Sequence, residues 1–141
     1  MPATATLPEI AAEFLSRPLI AQIVTLNPSG SPQLTYVWFE RQDNQLVVST
    51  RRDRVKARNL AQDPRVSIGI IDPEDPWRWI TVNGRAELSG EDAHALIERL
   101  ALKYMGPERG AAYAERTKAE PRVVIRITPE RIRSAGFDGG R

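Results

Sequence analysis

The densest set of chemically competent side chains in this sequence lies between Val48 and Leu60, which reads Val-Ser-Thr-Arg-Arg-Asp-Arg-Val-Lys-Ala-Arg-Asn-Leu. Ser49 and Thr50 close an apolar run, Asp53 stands where a helix N-cap is expected, and Arg51, Arg52, Arg54, Lys56 and Arg58 crowd the first turns of the helix that follows. That is the unfavourable end for cations. A helix N-terminus carries roughly half a positive charge, so each exposed Lys or Arg there loses about 0.3–1 kcal/mol against a neutral residue. An anion among them would resolve the conflict: free backbone N–H groups, two hydroxyls and several cationic heads can receive a phosphate or a chain of carboxylates. A solvated basic helix face is the alternative, and the stretch alone does not choose between the two.

Composition removes most other chemistry. The chain has no cysteine, which excludes disulfides, thiolate nucleophiles and cysteine-held metal, and His94 is its one histidine, so a Ser/His/Asp triad or a histidine metal site is not expected. At 141 residues it fits a single domain, residues 1–141, with a core that needs no staple; residues 1–6 and 137–141 are expected to fray. No apolar run approaches the roughly 18 residues of a membrane span, and the first residues lack the form of a secretory signal, so a cytoplasmic protein is expected. A net charge of +2 is too small by itself to indicate a nucleic-acid binder.

The basic stretch needs a scaffold. Residues 8–17 place Ile10, Ala11, Phe14 and Leu15 on one helical face before Pro18. Leu19 to Leu26 and Gln33 to Glu40 flank a turn-rich Asn-Pro-Ser-Gly-Ser-Pro and read as a hairpin, with Leu34, Tyr36 and Trp38 on one face of its second strand. A third strand, Gln45 to Thr50, leads into the basic helix; a fourth, Arg65 to Ile71, follows Asp63-Pro64. The acidic, proline-rich loop from Asp72 to Pro76, expected to be solvated, delivers the chain to a long strand from Trp77 to Leu88 in which Gly84 marks a bulge. A helix over residues 91–104 carries an apolar stripe of Ala93, Leu96, Ile97, Leu100 and Ala101. A shorter helix over 108–118 and a sixth strand over 121–132 complete the pattern. Six short antiparallel strands with brief helical insertions point to a mainly β (α+β) fold that closes on itself to hide its edges, with the helices outside. Tyr36, Trp38, Trp77 and Trp79 are more large aromatic surface than one small barrel can bury, so some should line a pocket or a subunit interface.

With the elements in this order, the sequence resembles the flavin and deazaflavin oxidoreductase superfamily built on the six-stranded, FMN-binding-like split β-barrel, the pyridoxamine 5′-phosphate oxidase type. The resemblance covers nearly the whole chain. It is carried by Thr25-Leu-Asn-Pro-Ser-Gly-Ser-Pro-Gln-Leu-Thr35, by Val47-Val-Ser-Thr50 with Lys56-Ala-Arg-Asn-Leu-Ala-Gln-Asp-Pro-Arg-Val-Ser67, and by Val82-Asn-Gly-Arg-Ala-Glu-Leu88. Arg54 to Leu60 together with Asp75-Pro-Trp-Arg-Trp79 resembles the branch that uses coenzyme F420.

The resemblance implies a homodimer with a cofactor site at each side of the interface. It implies a cofactor phosphate among Ser49, Arg54, Lys56, Ala57 and Asn59, with Thr50 and the backbone of Thr35, Tyr36 and Val37 near the ring system. Trp77, Arg78 and Trp79 would enter from the partner subunit. The implied activity is hydride transfer from reduced F420 to an electron-poor unsaturated organic molecule, with no metal and no catalytic residue beyond a proton source such as Arg78, Tyr36 or water; the cofactor carries the hard chemistry. FMN on the same barrel is the nearest alternative, and a wider basic fringe of Arg51, Arg52 and Arg58 would favour the long anionic tail of F420. A non-catalytic cofactor or tetrapyrrole carrier is a third reading. Neither nucleic acid nor membrane is expected as a partner.

Overall fold

The computed structural model describes residues 3–137. Seven strands form one antiparallel sheet: β1 (Ala21–Leu26), β2 (Pro32–Val37), β3 (Glu40–Gln42), β4 (Gln45–Arg51), β5 (Arg65–Ile71), β6 (Trp79–Ser89) and β7 (Arg122–Ala135), in the order β2-β1-β5-β6-β7-β4-β3. The sequence reading has six. The seventh, β3, is three residues long and pairs Glu40, Arg41 and Gln42 with Val47, Leu46 and Gln45 of β4. All three of its residues are half-buried, so it carries no apolar alternation that periodicity can detect.

The sheet curls on itself. Ala21 and Ile23 of β1 share one apolar cluster with Leu46 and Val48 of β4, although three strands separate β1 from β4 in the sheet order. Val66, Ile68, Ile70, Ile80, Val82, Ile125 and Ile127 complete the interior. No ladder joins β2 to β3 among the described residues, so backbone pairing does not close the ring and the barrel is split there. The long strand bends where its register with β7 shifts between Asn83 and Gly84. A Cβ on Gly84 would stand 2.2 Å from the carbonyl oxygen of Thr128, so only glycine fits. Gly84→Ala is therefore expected to destabilise the fold by about 1–3 kcal/mol or more, read as a lowered urea midpoint.

Helices cover the openings and the outside. A 3-10 turn (Glu9–Ala11) runs into α1 (Ala12–Leu15), and Leu7, Ala11, Phe14 and Leu15 are buried against the interior. Ile10 is exposed rather than on the packing face, because the winding tightens just there. Phe14 meets Phe137 edge-on at 5.1 Å, and the guanidinium groups of Arg17 and Arg78 lie 5.4 and 6.0 Å from its ring. Asp72 joins the same knot: it is 3 % exposed, accepts a 2.8 Å hydrogen bond from Arg17, and lies 3.8 Å from Arg78. The bond from Arg17 holds its carboxyl below the usual carboxylate range. The expectation that the acidic loop is solvated thus fails at Asp72. Ala5 donates to the Pro129 carbonyl, and Phe137 packs on Phe14; residues 1–2 and 138–141 lie outside the described residues.

α2 (Val55–Gln62) crosses from β4 to β5, and Leu60 anchors it to the interior. α3 (Ala93–Met105) buries all five residues of its apolar stripe, and Val47 and Val124 on the outer face of β4 and β7 receive it. α4 (Pro107–Thr117) folds back on α3 through Gly110, where a Cβ would stand 2.5 Å from the Ala101 carbonyl oxygen. Tyr104 fixes the end of α3 by donating to Leu19 O at 2.6 Å and accepting from the Phe39 N–H at 3.2 Å.

Candidate functional site

Where β2 ends, β4 gives way to α2, and α3 and α4 lean over β7, a cleft of about 250 Å³ opens. Its lining combines Tyr36 and Val37 from β2, Ser49, Thr50 and Arg51 from β4, and Arg54 and Lys56 from the start of α2. Ile20, Trp38, Ile97, Tyr113 and Arg122 form the remaining wall. The basic stretch therefore does gather on a cavity, because the β4–α2 turn folds its cations back over the hydroxyls of the preceding strand.

Two of those cations are buried. Lys56 is 8 % exposed and has no hydrogen bond or ion pair among the described residues. Burial pulls its ammonium below the ordinary lysine value, and the neighbouring Arg54 charge adds to the shift. Arg122 is 7 % exposed and has a buried Nε–H without an acceptor. Arg51, Arg54, Lys56 and Arg122 together meet two carboxylates, Asp53 and Glu120, both in contact with Arg51, so the lining keeps an excess of two positive charges. Buried charge without a counter-ion is costly, and this donor set fits a doubly charged phosphate or a phosphate with a further anionic group.

The helix adds to the same potential. α2 has no acidic residue in its first turn and no side-chain cap, and its N-cap position is Arg54. Asp53 does not cap it as expected; its carboxylate is drawn to Arg51 instead, accepting from Nε at 3.1 Å and Nη2 at 2.7 Å.

Of the site residues read from the sequence, Tyr36, Val37, Ser49, Thr50, Arg54 and Lys56 line the cleft. Thr35, Ala57, Asn59, Trp77, Arg78 and Trp79 lie outside its lining. Asn59 is buried on the other side of α2, where its amide donates at 3.0 Å to both Thr25 Oγ1 and Asn27 Oδ1 and ties the helix to the β1–β2 turn. Thr35 has a buried hydroxyl without a partner. Arg78 is engaged with Asp72 and lies 5.1 Å over the ring of Phe137, whereas Trp77 is 68 % exposed. The basic fringe does not assemble: Arg51 is paired with Asp53, Arg52 lies against Gly90, and Arg58 lines a separate depression beside Asn27 and Pro28. Arg122 also lines the cleft, and the sequence reading did not select it. Its only signal is strand register, which sets it directly across from Arg51.

Proton sources are few. Tyr104 is not one: burial pushes its hydroxyl up to about 12, and its proton already serves Leu19. Tyr36, 65 % exposed on the cleft wall, is accessible. His94 sits outside the cleft, its Nε2 3.1 Å from the Glu120 carbonyl. Among the described residues no cluster of His, Asp or Glu has the makings of a metal site, and no helix is long and apolar enough to cross a membrane.

A family model described as pyridoxamine 5′-phosphate oxidase matches residues 7–136. No curated protein matches the chain in sequence. Among solved structures, an F420 reductase is 28 % identical, with a TM-score of 0.74 over 90 % of this chain and 98 % of its own. A conserved hypothetical protein from Mycobacterium tuberculosis is 26 % identical, with a TM-score of 0.76 over 95 % of this chain and 87 % of its own. The heme storage protein of Vibrio cholerae shares the fold at 23 % identity, with a TM-score of 0.70 over 94 % of this chain and 97 % of its own.

Proposed function

We propose, for a chain that belongs to the pyridoxamine 5′-phosphate oxidase family, that the cleft binds coenzyme F420 and that the protein is an F420-dependent reductase of electron-poor unsaturated organic molecules. The observation that carries this reading is Lys56, a buried ammonium with no counter-ion on the wall of a cavity. The kinship in sequence and fold with an F420 reductase supports the choice of cofactor. Lys56 and Arg54, with the hydroxyls of Ser49 and Thr50, would hold the phosphate, and the end of β2 at Tyr36 and Val37 would border the ring. Reduced F420, when bound, supplies a hydride. The chain's own residues then orient and shield: Trp38, Ile20 and Ile97 exclude water from one wall, and the Tyr36 hydroxyl is placed to give up a proton.

The cleft lies at or below the size usual for small-molecule sites, about 300–1,000 Å³. A second copy of the chain would complete it. Ile20, Leu34, Tyr36, Ile71 and Trp77 are exposed apolar groups in need of cover, and together they support a homodimer. In that assembly Trp77 is the member of the 77–79 segment best placed to reach across, because Arg78 is held within its own chain.

FMN is the second reading, favoured by one observation: Arg51, Arg52 and Arg58 do not gather into the fringe that a long anionic tail would use. A fluorescence titration with F420 and with FMN, each at two salt concentrations, separates the readings. Micromolar or tighter binding of F420 with weak FMN binding is the expected result. Preference for FMN would make the protein a flavin enzyme, and binding of neither would leave a non-catalytic carrier.

A further inference from the structure

Arg122 differs from Lys56 in its surroundings. It opens β7, directly across the ladder from Arg51, and of its three guanidinium nitrogens only Nη2 is engaged, donating to the Tyr113 hydroxyl at 3.2 Å and the Glu120 carboxylate at 3.1 Å. Nη1 and the buried Nε have no acceptor among the described residues, and Glu120 is shared with Arg51 at 3.6 Å. A guanidinium held rigidly by a tyrosine and a carboxylate, with Nη1 unspent, is pre-organised to give one charge-assisted bond to a further anion. The wall beside it is flat and apolar: Trp38 stacks on Tyr104 at 5.1 Å and lies 5.7 Å from Tyr113, with Ile20 and Ile97 completing the surface. The same lining holds Ser49, Thr50, Arg54 and Lys56, hydroxyls and cations suited to phosphate.

We propose that Arg122 is a second recognition point, for the carboxylate of the molecule to be reduced, and that the acceptors are planar unsaturated acids whose carbon skeleton lies along Trp38 and Tyr113. The proposal rests on the cleft being the ligand site, but not on which cofactor it holds.

The test is calorimetric titration of the full chain, without cofactor, against trans-cinnamate and its neutral amide, trans-cinnamamide. Wild type is expected to bind the acid at least about tenfold more tightly than the amide, the ratio that one charge-assisted hydrogen bond provides. Arg122→Gln should erase that preference and leave the amide unchanged, while Lys56→Gln should keep at least about a threefold preference for the acid, since the direct bond to the carboxylate comes from Arg122. Arg122→Lys, which keeps the charge and the packing but loses the planar fork, should lose at least about threefold in acid binding and is the variant to read if Arg122→Gln does not fold. Equal binding of acid and amide by wild type, or a preference that survives at Arg122→Gln and vanishes at Lys56→Gln, would overturn the proposal. A wild-type chain that prefers the acid yet binds neither F420 nor FMN would sink the cofactor reading and leave Arg122 as a carboxylate-recognition point but not one for an acceptor; cofactor binding without acid preference would sink the proposal and spare the cofactor reading.

Discussion

Lys56→Met is expected to weaken cofactor binding by about 1.5–3 kcal/mol, roughly ten- to 150-fold, while the ligand-free protein melts at the same temperature or higher. The two effects have opposite signs for one physical reason. In the free chain the Lys56 ammonium is 8 % exposed without a counter-ion, so methionine, similar in volume and apolar, removes an unfavourable burial. In the complex the same ammonium would meet a phosphate, and its loss leaves that anion short of a donor. The lowered value of the ammonium adds a pH signature. Between that value and the ordinary one of 10.5, the unfolded chain holds a proton that the folded chain has lost, so ligand-free stability rises with pH across this window. Anion binding favours the charged form, so affinity should fall as pH climbs through the same window, and Lys56→Met should flatten both slopes. Titrations with F420 and FMN at several alkaline pH values, with thermal melts beside them, make the check. Unchanged affinity in Lys56→Met, together with its loss in His94→Ala, would move the site elsewhere.

Phe14→Ala is expected to cost about 3–5 kcal/mol of folding stability, a large part of the total of a domain this size. The ring is fully buried, and it joins segments far apart in the chain: α1, the loop after β5 through Arg78 and Asp72, and Phe137 beyond β7. Its removal leaves a cavity and takes away the aromatic face over which Arg17 lies. The urea midpoint should drop accordingly, and amide exchange in residues 72–78 should speed up more than in α3, whose buried stripe packs on Val47 and Val124. A loss below 1 kcal/mol with uniform exchange would show that the end of the barrel is not held in this way.

The sequence carried the parts of this fold whose signals are local. The α3 stripe, the β1–β2 hairpin and the bulge glycine Gly84 were legible because helical spacing, turn residues and an isolated glycine within a strand each have a mechanism that acts within a few residues. That Arg54 and Lys56 face a cleft was legible because cations at a helix start are anomalous wherever the helix goes. What escaped was set by tertiary neighbours. β3 has no apolar pattern and forms only because β4 is beside it. Asp72 reads as a solvated loop acid until Arg17, 55 residues earlier, folds onto it. Asn59 has the look of a ligand-binding amide, but both donors of its NH₂ are taken by Thr25 and Asn27. Arg122 needed the β4–β7 register before it could be placed opposite Arg51.

The sheet order has a consequence for how the molecule is made. β7 is last of the seven strands in the chain, yet it lies between β6 and β4 and supplies the ladder on one side of each. While a ribosome is still adding residues 90–121, β4 and β6 have already been made, each with one edge to be left bare, and the pairing that will hold them is unwritten. α3 and α4 then act as a delay between the sixth strand and the seventh, and Arg122, the first residue of that last strand, joins the cleft only when the barrel itself can close. A nascent chain stalled before β7 would therefore hold Ser49, Thr50, Arg54 and Lys56 in sequence but no finished cleft, and its unpaired strand edges would be natural clients for a chaperone.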